Sequence, residues 1–307
     1  MINKLKKIPL GPMFIILAAL LWALDGVIRR NLYSLPPITI IFFEHLIGLV
    51  ILFPFIWKII LKEKIGKREW WLLILVAFLS GLLGTLWFTT ALLKVHFISF
   101  SVVFLLQKLQ PIFAIGSASI FLKEKISRKY IPWAILALIS AYFVTFKDGI
   151  VNLSTGEGTI IAALYALGAA FAWGTSTTFS KMLLNKVSSN TVTFYRFLIT
   201  SIMAIIVIVL FGYTTSLALP TFSQFGLFAL ISVSTGMVAL LIYYKGLKRT
   251  PVHVSTILEL TFPFIAILID MKLYNSFLSL SQWIGAIVLV YSIVRIVKLQ
   301  KSYVIQQ

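Results

Sequence analysis

The sequence predicts an all-α integral membrane protein of ten spans, built as two inverted five-helix repeats with both termini in the cytoplasm. Three observations predict it. The chain is 60% hydrophobic and only 12% charged, with a mean hydropathy of +1.01, whereas a soluble domain is about half apolar and a quarter charged. Apolar runs of about 20 residues, enough to cross a bilayer, recur throughout. Lys and Arg gather in alternate connections between those runs, as in positive-inside loops.

The runs lie at 12–30, 37–58, 70–93, 97–121, 130–147, 157–181, 190–212, 221–244, 251–271 and 279–297. The first follows MINKLKKIPL, which resembles the start of a signal peptide. The run after it is long and lacks an A-x-A site, so it reads as a retained first helix. Short basic connectors such as KEKISRK (123–129) and NKVSSN (185–190) separate the others, and no loop is long enough for a soluble domain. Twenty Lys and Arg residues fall on one side and five on the other. That bias places both termini in the cytoplasm, as an even number of spans requires. The net charge of +18 therefore reflects loops on a membrane surface, and nucleic acid is excluded as a partner. Without cysteine there is no disulfide, thiolate metal site or thiol nucleophile.

The chain repeats itself. ITIIFFEHLIG (38–48) aligns with NTVTFYRFLIT (190–200) at an offset of 152, and Pro111 of FLLQKLQPIFAI aligns with Pro263 of STILELTFPFIAI at the same offset. ALLWALDGVIRR aligns with AFAWGTSTTFSK, placing Trp22 on Trp173 at 151. The halves are 1–147 and 157–300, each with five spans. Five is odd, so the second copy lies upside down relative to the first. Inverted repeats are a transporter architecture, with the site near the midplane between them.

Together LLWALD, FAWGTS, FYRFLIT, LQPIFAIGSASIFLKEKIS and TFPFIAILIDMKLYNSFLS resemble the ten-helix, EamA-domain type of the drug/metabolite transporter superfamily, over about residues 14–297. The resemblance implies a permease in the cell membrane that moves small organic solutes outward, often amino acids or related metabolites. Two positions depart from its pattern. Glu44 stands where span two often has Arg, and Ser276 stands where Glu124 has its counterpart.

Ionisable residues inside spans are functional candidates by default. Here they are Asp25, Glu44, His45, Lys108, Arg196 and Glu259. At 1.5 Å per residue, Asp25 and Glu44 lie roughly 9–10 Å below the outer edge and Lys108 about 16 Å deep. These three share the outer half, and Lys108 is a candidate partner of Glu44. Arg196 and Glu259 lie roughly 9–12 Å from the cytoplasmic edge, which predicts an inner pair acting as a latch. Gln107 falls at the offset position of Glu259. Asp25 and Arg29 are i,i+4 and so share a helix face. Arg29 and Arg30 sit near a helix end, where Arg snorkels to the interface. His45 reads as a packed or hydrogen-bonded histidine.

Pro111 and Pro263 break backbone hydrogen bonds in mid-span, freeing carbonyls for a cavity or kinking the helix. Glu124, among lysines at a membrane edge, reads as a structural or gating ion pair. Trp22, Trp87 and Trp173 are deep enough to line a cavity, and the small face of SGLLG (80–84) predicts close helix packing.

The expected partners are the lipid bilayer, a small-molecule substrate and protons as a candidate coupling ion. Nothing in the sequence sets an oligomeric state. No cofactor motif occurs, and there is no GxxxxGK[ST] loop for an ATP-driven pump. His45, His96 and His253 are too scattered for a metal site. No nucleophile elbow supports an enzyme. The expected activity is alternating-access transport of a small metabolite, with a zwitterion such as an amino acid suited to a cavity of both signs. An uncoupled carrier or channel for organic anions, and a membrane protein without transport activity, stay open at this stage.

Overall fold

A computed structural model describes residues 10–94, 102–153, 158–274 and 277–305. His96 and Ser276 lie outside them. Regular structure among the described residues is helical. Among the described residues nine helical runs have the length and hydropathy of a membrane span, and a shorter apolar helix stands where the fifth span was expected.

The first half begins with α1 (Leu10–Arg29) and α2 (Pro37–Lys62). Pro37 opens α2 at a position where a missing N–H costs nothing. The third span is α3 (Lys67–Val76), a π-helical stretch Ala77–Gly84, and α4 (Thr85–Lys94). The fourth is broken into α5 (Val102–Gln107) and α6 (Gln110–Ser117), followed by a π-helical turn Ala118–Leu122. The fifth, α7 (Ile131–Thr145), has 15 residues. It rises about 22 Å, short of the roughly 30 Å hydrocarbon core.

The second half contains α8 (Thr159–Leu184) and α9 (Ser189–Leu210). Its eighth span divides into α10 (Phe222–Val233) and α11 (Met237–Lys248), its ninth into α12 (Val252–Leu258) and α13 (Thr261–Tyr274), and α14 (Leu280–Ile305) closes the chain.

The prolines explain two of the breaks. Proline has no N–H for the carbonyl four residues back, which is Gln107 for Pro111 and Glu259 for Pro263. Sequence reasoning placed both prolines within continuous helices. The structure instead puts Pro111 in the first turn of α6 and Pro263 near the start of α13. Each follows a two-residue interruption, Lys108–Leu109 and Glu259–Leu260. At the second, the Phe262 N–H reaches the Glu259 carbonyl instead, at 2.9 Å.

The main packing pairs are α2 with α9, α7 with α14, α1 with α11, and α8 with α4 and α6. Large apolar side chains such as Phe55, Ile160 and Ile287 point outward, at 79%, 75% and 68% exposure. So much exposed apolar surface suits lipid rather than water.

At the ends of the spans, carboxylates cap helices of the other half. Glu63 accepts from the Ser188 N–H at 2.6 Å and its hydroxyl at 2.8 Å, and also from Thr191. Glu124 accepts from the N–H groups of Val252 at 2.8 Å and His253 at 3.2 Å. Both satisfy donors that a helix start leaves free and oppose its positive dipole end.

Candidate functional site

The broken helices meet α8, and two glycines bring them close. A Cβ on Gly174 would lie 2.6 Å from the Gln110 carbonyl oxygen, so only glycine lets the α5–α6 break press against α8. A Cβ on Gly84 would lie 2.5 Å from the Trp173 indole. That indole rests on the π-helical stretch and donates from Nε1 to the Ser80 carbonyl at 3.2 Å. The small face expected at 80–84 is this contact surface.

Between these elements lies a cavity of about 330 Å³, within the usual range for small-molecule sites. One wall is aromatic. Phe88 sits 5.2 Å from Trp173 and 6.2 Å from Phe104 by ring centroid, and Trp22 packs 5.0 Å from Tyr243.

A charged network occupies another wall. Arg29 donates to both oxygens of Asp25 at 2.7 and 3.2 Å, and to Glu44 at 2.8 Å. Thr235, in the interruption between α10 and α11, donates to Asp25 at 2.6 Å. The network thus ties α1 to α2 and to the broken eighth span. The Asp25–Arg29 pair follows the expected spacing. Glu44, however, is held by Arg29 and not by Lys108. Lys108 donates instead to Gln107 at 3.4 Å and lies 5.3 Å above the Phe262 ring. It sits in the break between α5 and α6.

The expected Arg196–Glu259 pair is also absent. Consecutive tyrosines of α11 stand between α9 and α12 and divide the two groups. Tyr244 accepts from Arg196 at 3.0 Å, while Tyr243 donates to Glu259 at 2.6 Å. Gln110 donates to the other Glu259 oxygen at 3.0 Å.

The cavity wall includes Trp22, Asp25, Arg29, Glu44, Gln107, Lys108, Pro111, Trp173, Arg196, Glu259 and Pro263. One cavity therefore gathers residues that depth alone had divided into outer and inner clusters. His45 bonds the Ile41 carbonyl through Nδ1 at 2.9 Å and packs 4.7 Å from Phe197.

Glu124 lies elsewhere, with His253 Nδ1 at 2.6 Å. Tyr130, whose hydroxyl donates to the His253 carbonyl, borders the same cluster. Burial pushes the Glu124 carboxyl up, but hydrogen bonds from His253 and the Val252 and His253 N–H groups outweigh it and hold the group below its ordinary range. At Glu63, burial is likewise overcome by Thr191 and Ser188.

Sequence reasoning missed Tyr243, Tyr244, Gln110 and Thr235. Gln110 had a signal, as the third polar residue of QKLQ in mid-span, and IYYKG placed two hydroxyls on the eighth span. Among the described residues no group of three or more His, Asp or Glu side chains could hold a metal ion.

Comparison with known proteins adds three findings. The EamA-like transporter family matches residues 9–146 and again 160–298. A protein of Fusobacterium nucleatum subsp. nucleatum named riboflavin transporter ImpX is 35% identical over 292 residues, covering 94% of this chain and 98% of its own. A solved crystal structure at 14% identity superposes with a TM-score of 0.74, covering 95% of this chain and 98% of that one. At that identity the likeness shows the fold alone.

Proposed function

This chain belongs to the EamA-like transporter family and is a multi-pass membrane protein that transports a small metabolite, and from that premise we propose that its substrate is riboflavin or a close flavin relative. The observation that carries the proposal is the 35% identity to a protein named as a riboflavin transporter, over nearly the full length of both chains.

The chemistry of the cavity supports it. Asp25 and Glu44 are taken up by Arg29, and Glu259 by Tyr243 and Gln110. The ammonium of a zwitterion would meet no open carboxylate there. Among the described residues neither Lys108 nor Arg196 has a carboxylate within ion-pair distance. The spare polar capacity is therefore donor-rich. A flavin ring presents flat apolar faces to Trp173 and Phe88, and an edge of carbonyl and nitrogen acceptors to those donors. Each neutral hydrogen bond of this kind is worth about 0.5–1.5 kcal/mol, and bonds from charged donors about 1.5–3.

The mechanism we propose is alternating access between two inverted halves, 1–147 and 157–300, with both termini cytoplasmic. The offset of 152 that relates Glu44 to Arg196 and Pro111 to Pro263 supports it. So does the pairing of α2 with α9 and of α7 with α14, elements that occupy equivalent places in the two halves. In this reading the Asp25–Arg29–Glu44–Thr235 network holds one side closed and parts when that side opens. A proton is the proposed coupling ion, with the carboxyls of Asp25 and Glu44 as the groups that would carry it.

Purified protein in liposomes tests each part separately. Preloaded riboflavin should accelerate entry of labelled riboflavin, and saturably so. An unsaturable flux without counterflow would replace carrier by channel, and no flavin flux at all would remove the substrate assignment. If counterflow stands but an imposed pH gradient drives no accumulation, carriage is uncoupled.

A further inference from the structure

Among the described residues, four buried side-chain polar atoms have no hydrogen-bond partner: Ser176 Oγ, Arg196 Nε, Thr250 Oγ1 and Thr256 Oγ1. All but Thr250 belong to residues in the cavity wall. Ser176 and Thr256 are 2% and 1% exposed. An unpartnered buried hydroxyl is costly, and native structures rarely leave one.

A helical Ser or Thr has an easy remedy, the carbonyl four residues back. The neighbours of both residues use it. Thr177 donates to the Trp173 carbonyl and Ser255 to the Pro251 carbonyl, each at 3.0 Å. Ser176 and Thr256, one position further round the cavity-facing surfaces of their helices, do not. Their hydroxyls are left for something else.

Their surroundings say what. Ser176 follows Trp173 by one turn of α8, and Ser180 follows Ser176 by another. The Ser180 hydroxyl lies 3.4 Å from that of Tyr244, which accepts from Arg196 at 3.0 Å. On α12, Thr256 precedes Glu259 by one turn. The aromatic wall at Trp173 and Phe88 thus passes into a pole of hydroxyls.

We propose that Ser176 and Thr256 form a subsite that reads the hydroxylated chain of the substrate, while Trp173 and Phe88 hold its ring. The inference rests on the flavin reading given above and extends it from the ring to the ribityl chain. A hydroxyl both donates and accepts, so a chain of hydroxyls can satisfy both side chains at once. A methyl group in its place satisfies neither. Both residues line the cavity, and in this proposal each hydroxyl turns toward it when the substrate binds.

The test uses the full-length protein in liposomes and two fluorescent probes, riboflavin and lumiflavin. Lumiflavin keeps the ring but carries methyl in place of the ribityl chain. Binding is read from flavin fluorescence quenching. The unaltered protein should bind riboflavin more tightly. Ser176→Ala and Thr256→Val should each weaken riboflavin about 2- to 13-fold, the worth of one neutral hydrogen bond, and leave lumiflavin affinity where it was. Thr256→Ser should recover affinity lost in Thr256→Val.

Equal weakening of both probes, in protein that elutes as a folded species on size exclusion, would overturn the proposal by making the hydroxyls part of the cavity shape. No weakening of either would also overturn it. If the unaltered protein binds both probes equally, the chain is not read and the subsite fails while the flavin assignment stands. If it binds neither, the flavin assignment fails and takes this inference with it.

Discussion

Arg29→Gln removes the one cation that holds two carboxylates in the cavity wall. Arg29 side-chain exposure is 11%, against 25% for Asp25 and 7% for Glu44. The two bonded oxygens can be no further apart than both contacts plus the width of the guanidinium, roughly 8 Å; at 5–8 Å and an effective dielectric of about 20, the bare carboxylates repel by about 2–3 kcal/mol. Two attractions are lost as well, offset in part because a buried guanidinium no longer needs desolvating. The net cost expected on removing one partner of a buried ion pair is about 3–5 kcal/mol. The assay is heat stability in detergent, following the monodisperse fraction after a temperature series. Arg29→Gln should lower the midpoint clearly, and the triple variant Asp25→Asn, Arg29→Gln, Glu44→Gln should regain much of the loss. A triple variant as unstable as the single would show that Arg29 acts by packing and not by charge. A single variant as stable as the unaltered protein would show that the network contributes nothing.

Three further predictions concern the neighbours of that network and the capped ends. Glu124 has its carboxyl held below its ordinary value of 4.5, so its contribution to stability is fully present above that pH and is lost as pH falls through the lower native value. Heat stability measured from about pH 7 down to 3 should drop less steeply in Glu124→Gln than in the unaltered protein, and parallel curves would refute the assignment. Gly84→Ala places a methyl against the Trp173 indole and should cost about 1–3 kcal/mol by overpacking. Adding Trp173→Ala removes the side chain that the methyl strikes, so the two changes together should cost less than the sum of each alone, and the double variant should not regain flavin transport. Tyr243→Phe keeps the ring beside Trp22 but strips Glu259 of a donor at 2.6 Å, leaving a buried acceptor short by about 1–3 kcal/mol. Both transport rate and heat stability should fall, and an unchanged rate would remove Tyr243 from the path.

What the sequence made legible follows the range of the forces concerned. Apolar runs mark spans because the bilayer answers to composition over about 20 residues, and among the described residues nine helical runs have span length, with a shorter apolar helix at Ile131–Thr145. The i,i+4 spacing of Asp25 and Arg29 is a property of one helix, so their bond could be read directly. The third member could not. Whether Glu44 meets Arg29 or Lys108 depends on how α2 is rotated against α1 and on the break at Lys108–Leu109, and both are set by packing. Pro111 and Pro263 announced the breaks, but not that each helix would stop short and restart. The missing proline N–H fixes which carbonyl goes unmet, while the chain around it decides whether to bend or to end. The Arg196–Glu259 expectation failed for a related reason. Depth put the two groups at one level, and nothing in their own helices says that α11 passes between them. Yet the residues that separate them, Tyr243 and Tyr244, are adjacent in sequence. Adjacent residues on a helix diverge by about 100°, so one tyrosine can meet Glu259 while the next meets Arg196. A charged pair that looked like a latch is thereby turned into two separate arms reaching one cavity. Each arm holds an ionisable side chain in place through a tyrosine hydroxyl and not through a counter-ion.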